Sequence, residues 1–224
     1  MGKKFFEEIE LFLFDMDGLL FDTETIYVGY GREVAKKMGY TITKDIVEKT
    51  TGVTDDKARI LFKESLGQDF PYDEMMGKVK NHILELAKKS EVPLKPGALE
   101  LLEFLRENNK EMILATSSDL FMAEALINGK DLKKYFSYFV TAEDVVHGKP
   151  DPEVFLIGAK KAGVSPKKTA VFEDSFNGIR AAHAAGTFPI MVPDKLKPTE
   201  EIEKLVYKKF NSLVEVLDYF KGND

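Results

Sequence analysis

Cysteine is absent from this 224-residue chain. That excludes disulfides, zinc-thiolate sites and a thiol nucleophile, and it suits a reducing compartment, so a cytoplasmic location is expected. Blocks of lysine or arginine are absent too, the formal charge is −6 and the pI is about 5.3. Neither a nucleic-acid backbone nor an anionic membrane is an expected partner. No apolar run approaches the roughly 20 residues that cross a bilayer. The start MGKKFFEEIELFLF is basic, but Glu7, Glu8 and Glu10 interrupt it before it could serve as a signal-peptide core. Phe6 stands where myristoylation requires Ser or Thr. The three histidines, His82, His147 and His183, have no carboxylate or hydroxyl partner at motif spacing and are expected to be non-catalytic. Internal repeats and low-complexity segments are missing as well.

What is present is enough apolar sequence, 44% against 31% charged, for a sizeable core. Apolar runs too short for buried helices recur at 9–14, 111–115, 138–141, 169–172 and 188–192, with helical patterns between them. Such alternation predicts an α/β fold, a Rossmann-like parallel sheet with helices on both faces. The interval 22–90 differs. Its apolar spacing is helical throughout (Ile26, Tyr30, Val34, Met38; Ala58, Leu61, Phe62, Leu66; Met76, Val79, Ile83, Leu86), and no strand is visible. It is too long for a strand-to-helix connection, which predicts an inserted all-helical domain over 22–90 and a core made of 1–21 and 91–224. One continuous α/β domain with long helices is the alternative.

In open parallel sheets ligands sit beyond the carboxyl ends of the strands. There the first run delivers Asp15 and Asp17, the second Thr116, Ser117 and Ser118, the loop after the third Lys149, and the fourth Glu173 and Asp174. Carboxylates collect a hard cation such as Mg²⁺, while hydroxyls, N–H groups and a lysine hold phosphoryl oxygens. That mixture suits a divalent cation together with a phosphoryl group.

The segments FDMDGLLFDTE, LATSS, GKPDPEVF and VFEDSFNGIRAAHAAG, in that order, resemble the four motifs of the haloacid dehalogenase superfamily. The branch resembled carries a helical cap after the first motif and includes β-phosphoglucomutases and pseudouridine-5′-phosphatases. The resemblance implies a phosphoric monoester hydrolase with Mg²⁺ as cofactor and a small phosphorylated metabolite as partner. It implies Asp15 as nucleophile and metal ligand, and Asp17 as general acid and base that lends its backbone carbonyl to the metal. Asp174 would complete the metal site, with Glu173 a weaker candidate. Thr116, the N–H of Ser117, and Lys149 would bind the phosphoryl group. The cap loop with Thr51, Gly52 and Thr54 would face the substrate, and the hinge would lie at 21–23 and 91–95. A cap that opens and closes is compatible with a monomer.

Plainer readings stand beside these. Asp15 and Asp17 could cap a helix, Thr116 could serve a turn, Lys149 could be a solvated loop lysine, Glu173 could be structural, and Thr54 could be an N-cap. Gly178 reads as permitting close packing rather than as a ligand. The dehalogenase and phosphonate-cleaving branches lack the second aspartate, so Asp17 favours phosphoryl transfer. The mutases of this branch place a histidine where this chain has Tyr27, and a cap-loop arginine where it has Asp55. Hydrolysis of a monophosphate is therefore expected over mutase chemistry. A receiver-like phospho-acceptor or a non-enzymatic binding protein are alternatives from other classes.

Overall fold

A computed structural model describes residues 2–222. Six parallel strands form one sheet: β1 (Leu11–Phe14), β2 (Glu111–Ala115), β3 (Tyr138–Val140), β4 (Thr169–Glu173), β5 (Phe188–Met191) and β6 (Lys208–Lys209). Their order is β3-β2-β1-β4-β5-β6. The order reverses at β1, so the crevice at the carboxyl ends of β1, β2 and β4 is the expected ligand site of such a sheet. Strands β1 to β5 match the five apolar runs. The sixth carries no such signal because it is two lysines on the sheet edge, where charge protects unpaired backbone.

All four residues of β1 are buried, since helices cover both faces. The pleat then sorts them: Phe12 and Phe14 join one apolar cluster, Leu11 and Leu13 the other. On the first face lie α1 (Gly2–Glu8), α6 (Ala98–Glu107), α7 (Leu120–Gly129) and α11 (Leu213–Lys221), which supply Phe6, Leu101, Leu126 and Phe220. On the second lie α8 (Glu153–Ala162) and α9 (Phe176–Ala184), which supply Phe155 and Ala181. A short α10 (Glu200–Glu203) buries Ile202 against Ile179 and Met191.

Between β1 and α6 the chain forms α2 (Thr23–Lys37), α3 (Lys44–Thr50), α4 (Asp55–Leu66) and α5 (Tyr72–Lys88), with no strand among them. Val34, Ile46, Ala58, Phe62, Phe70 and Met75 bury one another in a core of their own. The first turns of α2 and α3 are capped by Asp22 and Thr43. The second half of α5 behaves differently, because Val79, Ile83 and Ala87 belong to the large cluster under the sheet. Gly129 at the end of α7 allows this close seating, since a Cβ there would lie 2.4 Å from the Ala87 carbonyl oxygen. The two connections to the insertion run side by side. Asp22 N–H donates to Pro93 O at 3.0 Å, and Lys95 N–H to Leu20 O at 2.9 Å.

Candidate active site

The register of the sheet fixes the site before any side chain is considered. Phe14 of β1 lies level with Leu114 of β2 and Phe172 of β4. The residues that follow these strands therefore emerge at one edge. Asp15 is held there by its N–H, which donates to Phe172 O at 3.1 Å.

Lys149 reaches the same point from the loop before α8 and is buried at 8% exposure. Its ammonium donates to Asp15 Oδ1 at 2.5 Å, Glu173 Oε1 at 2.6 Å and Ala115 O at 3.1 Å. Three donors thus meet three acceptors. Burial alone would lower the Lys149 pKa, but Asp15 and Glu173 overcome it and hold the ammonium protonated. The solvated-loop alternative fails on this geometry.

Glu173 uses its other oxygen locally: Ser175 N–H and Ser175 Oγ each donate to Oε2 at 2.9 Å. Gly178 leaves room for that carboxylate, because a Cβ on it would lie 1.8 Å from Oε1. One oxygen each of Asp15, Glu173 and Asp174 can nevertheless come within 4.8 Å of one another. Asp174 has neither hydrogen bond nor ion pair among the described residues, whereas both oxygens of Glu173 are engaged. Of the three, Asp174 and the second oxygen of Asp15 are the ones left without a hydrogen-bond partner among the described residues.

Burial raises the pKa of Asp15 and Asp174, opposed by Lys149 and reinforced by the neighbouring carboxylates. Three carboxylates against one ammonium leave an excess of buried negative charge. A divalent cation with oxygen ligands is the group that fits such a donor set.

Asp17 stands apart from this group. Its Oδ1 accepts from Thr23 Oγ1 and its Oδ2 from Ser118 Oγ, each at 2.7 Å. The side chain is thus turned toward α2 and the second motif, and it is no member of the three-carboxylate cluster. Thr116 is buried, and its Oγ1 accepts from Ser118 N–H at 3.0 Å. Ser117 is exposed beside it, without a hydrogen-bond partner among the described residues.

The cap-loop trio is not assembled in the same way. Thr51 donates its hydroxyl to Val47 O at 2.8 Å, satisfying the end of its own helix. Thr54 occupies the N-cap position of α4, but its hydroxyl makes no cap bond. Gly52, at φ +73°, is the one that touches the core: its carbonyl accepts from Asn177 Nδ2 at 3.3 Å. No histidine reaches the carboxylates. His82 stacks on Tyr30 with centroids 3.9 Å apart, and His183 Nδ1 lies 3.2 Å from Leu205 O.

Sequence reasoning passed over Thr23 and Glu24, because polar residues in a first turn read as ordinary helix starts. Asp194 also emerges only in space. It pairs with Lys95 at 2.7 Å, and Lys195 beside it donates to Thr25 Oγ1 at 3.0 Å. This joins the loop after β5 to both connections of the helical insertion.

A parallel sheet with an acidic, lysine-bearing crevice at its switch point and a helical insertion after β1 defines a hydrolase class. Residues 12–192 match the model of the haloacid dehalogenase-like hydrolases, and the chain belongs to that family. It is 35% identical over 80% of its length, and 82% of the relative's, to a phosphorylated carbohydrates phosphatase of Thermotoga maritima. To a probable pseudouridine-5′-phosphatase of Drosophila melanogaster it is 34% identical over 87% of its own length and 86% of that chain. A solved β-phosphoglucomutase of Clostridium difficile, 24% identical with a TM-score of 0.73 over 96% and 98% of the two chains, shares the fold.

Proposed function

We propose that this enzyme hydrolyses a small phosphate monoester, on a sugar, a polyol or a nucleoside, with Mg²⁺ and through an aspartyl-phosphate on Asp15. The observation that carries this is the division of labour between two aspartates two residues apart. Asp15 lies on Lys149 within the carboxylate cluster, and Asp17 is held away from it by Thr23 and Ser118.

In the first half-reaction an Asp15 oxygen attacks phosphorus. The bond to the leaving oxygen breaks, and that oxygen takes a proton from Asp17. In the second half Asp17 accepts a proton from water, whose oxygen attacks the phosphoryl group, releasing inorganic phosphate and restoring Asp15. Thr116 Oγ1 and the Ser117 N–H hold the phosphoryl oxygens, and Lys149 offsets repulsion between carboxylate and phosphate. Asp15, Asp174 and the Asp17 carbonyl would hold Mg²⁺, which supplies charge neutralisation at the phosphoryl group. Residues 22–90 act as the cap that excludes water during transfer.

Against the mutase alternative stands the cap itself. Asp55 occupies the place of the mutase arginine and accepts from Tyr72 OH at 2.8 Å. The nearby Arg59 already pairs with Asp55, Asp56 and Asp73 at 3.1, 2.8 and 2.9 Å, and three carboxylates around one guanidinium leave the local charge unfavourable for a second phosphate. The receiver-like alternative ends with the family assignment.

The test is phosphate release from a panel of sugar, polyol and nucleoside monophosphates and p-nitrophenyl phosphate, in Mg²⁺ and in EDTA. Hydrolysis confined to the Mg²⁺ arm is expected. No hydrolysis of any monophosphate, or equal rates in EDTA, would overturn the proposal.

A further inference from the structure

Glu24 and Tyr27 are one helical turn apart in α2, so their side chains share a face. The residue just before Glu24 is Thr23, whose hydroxyl bonds Asp17, so this face begins beside the proposed acid and base. The field of Asp17 acts on both side chains, and Glu24 also feels Asp174 and Asp194. Thr23 on one side of Glu24 bonds Asp17, and Thr25 on the other accepts from Lys195 at 3.0 Å, so Glu24 lies in the first turn between the catalytic edge and the loop after β5. It is partly buried, yet it has no hydrogen bond and no ion pair among the described residues. Lys195 is close enough to bond Thr25 and approach Asp22 at 3.8 Å, but it is not within ion-pair distance of Glu24.

A second observation points to a missing donor in the same place. Asp194 has a side chain only 4% exposed, and its Oδ2 is the one sealed side-chain oxygen without a partner among the described residues. Its other oxygen faces Lys95 at 2.7 Å and Lys195 at 3.5 Å. Buried carboxylate oxygens are normally bonded. Glu24, which lacks a donor, and the unpartnered hydroxyl of Tyr27 on the same helix face leave hydrogen-bonding capacity that the described residues do not use.

We propose that Glu24 is a specificity-determining residue that accepts hydrogen bonds from hydroxyl groups of the leaving group, with Tyr27 contacting the same group from the next turn. The substrate class is then a phosphomonoester of a neutral, hydroxyl-rich alcohol. A leaving group with a carboxylate or a second phosphate meets Glu24 and Asp17 as like charges and is disfavoured. This rests on the phosphatase reading above.

The experiment compares kcat/KM for wild type, Glu24→Gln and Tyr27→Phe on three substrates with Mg²⁺. They are a hexitol 6-phosphate, p-nitrophenyl phosphate, which offers no hydroxyl, and 2-phosphoglycolate, whose leaving group carries a carboxylate. In Glu24→Gln the hexitol phosphate should lose about tenfold relative to p-nitrophenyl phosphate, through KM, while 2-phosphoglycolate gains on the same scale. Tyr27→Phe should lower the hexitol phosphate alone relative to the other two. Equal changes on all three substrates, or a wild type that prefers 2-phosphoglycolate to the hexitol phosphate, would overturn the assignment and leave the phosphatase reading standing. A wild type inactive on all three would overturn the phosphatase reading itself.

Discussion

Thr23 donates its hydroxyl to Asp17 Oδ1 at 2.7 Å, so the first residue of the first cap helix fixes the side chain proposed to move protons. Ser118 holds the other oxygen from the second motif. Thr23→Val keeps the shape and removes the donor. We expect kcat on p-nitrophenyl phosphate to fall by about tenfold, the scale of a misoriented acid–base group, with an unchanged circular dichroism spectrum. A variant with wild-type kcat would show that Ser118 alone orients Asp17.

Metal binding should be readable without turnover. Asp174 is the unpartnered carboxylate of the cluster, so it gains most from a cation. At a Mg²⁺ concentration of about 100 times Kd, the wild type should gain about 2.7 kcal/mol of stability. Asp174→Asn should lose most of that gain while folding in EDTA. A Mg²⁺-induced rise in Tm that survives in Asp174→Asn would remove this residue from the site.

Gly18 tests the packing beneath that carboxylate. It has φ +80°, and a Cβ on it would lie 2.3 Å from Asp174 Oδ2. Gly18→Ala therefore meets a left-handed backbone and a clash at once, and should destabilise the protein by about 1–3 kcal/mol. Because the clash displaces a proposed ligand, Mg²⁺-dependent activity should fall further than stability does. Denaturant titration and phosphate release on the same sample check both.

The pH dependence of stability should carry the mark of Glu24. Burial, with Asp17 and Asp194 nearby, pushes its carboxyl up from 4.5 to about 7. The native state then binds more protons than the unfolded chain between those values, so this group's contribution falls as pH rises through that window. Glu24→Gln removes the effect. Relative to wild type in EDTA, the variant should be more stable at pH 8 than at pH 5 by about 2 kcal/mol, measured by urea unfolding. No difference between the two pH values would mean that Glu24 is solvated.

Much of this was legible in the chain because apolar content and periodicity decide it. The five apolar runs became β1 to β5, and the helical spacing of 22–90 became four helices. The carboxyl ends of β1, β2 and β4 delivered Asp15, Thr116 and Asp174 to one edge because parallel strands must align there. What stayed hidden depends on partners far apart in sequence. Thr23 and Ser118 meet on Asp17 across about a hundred residues, and Asp194 meets Lys95 across a similar distance. Glu173, the weaker ligand candidate beside Asp174, lies within the carboxylate cluster, but its contacts to Lys149 and Ser175 come from its neighbours in space and local turn and could not be read from its position in the motif. The entry of the second half of α5 into the sheet's core was also unreadable, since Val79, Ile83 and Ala87 show the same helical spacing whichever core they enter.

The central claim is that Asp15 carries the phosphoryl group. It is tested most directly by quenching the Mg²⁺-loaded enzyme in acid during turnover of a monophosphate and mapping the adduct by peptide mass spectrometry. The account predicts a phosphoryl group on the peptide FDMDGLLFDTE, localised to Asp15, and none in Asp15→Asn, which should also lose at least about a thousandfold in phosphate release. An Asp15→Asn variant that turns over at the wild-type rate, or a phosphoryl group on any other residue, would contradict it.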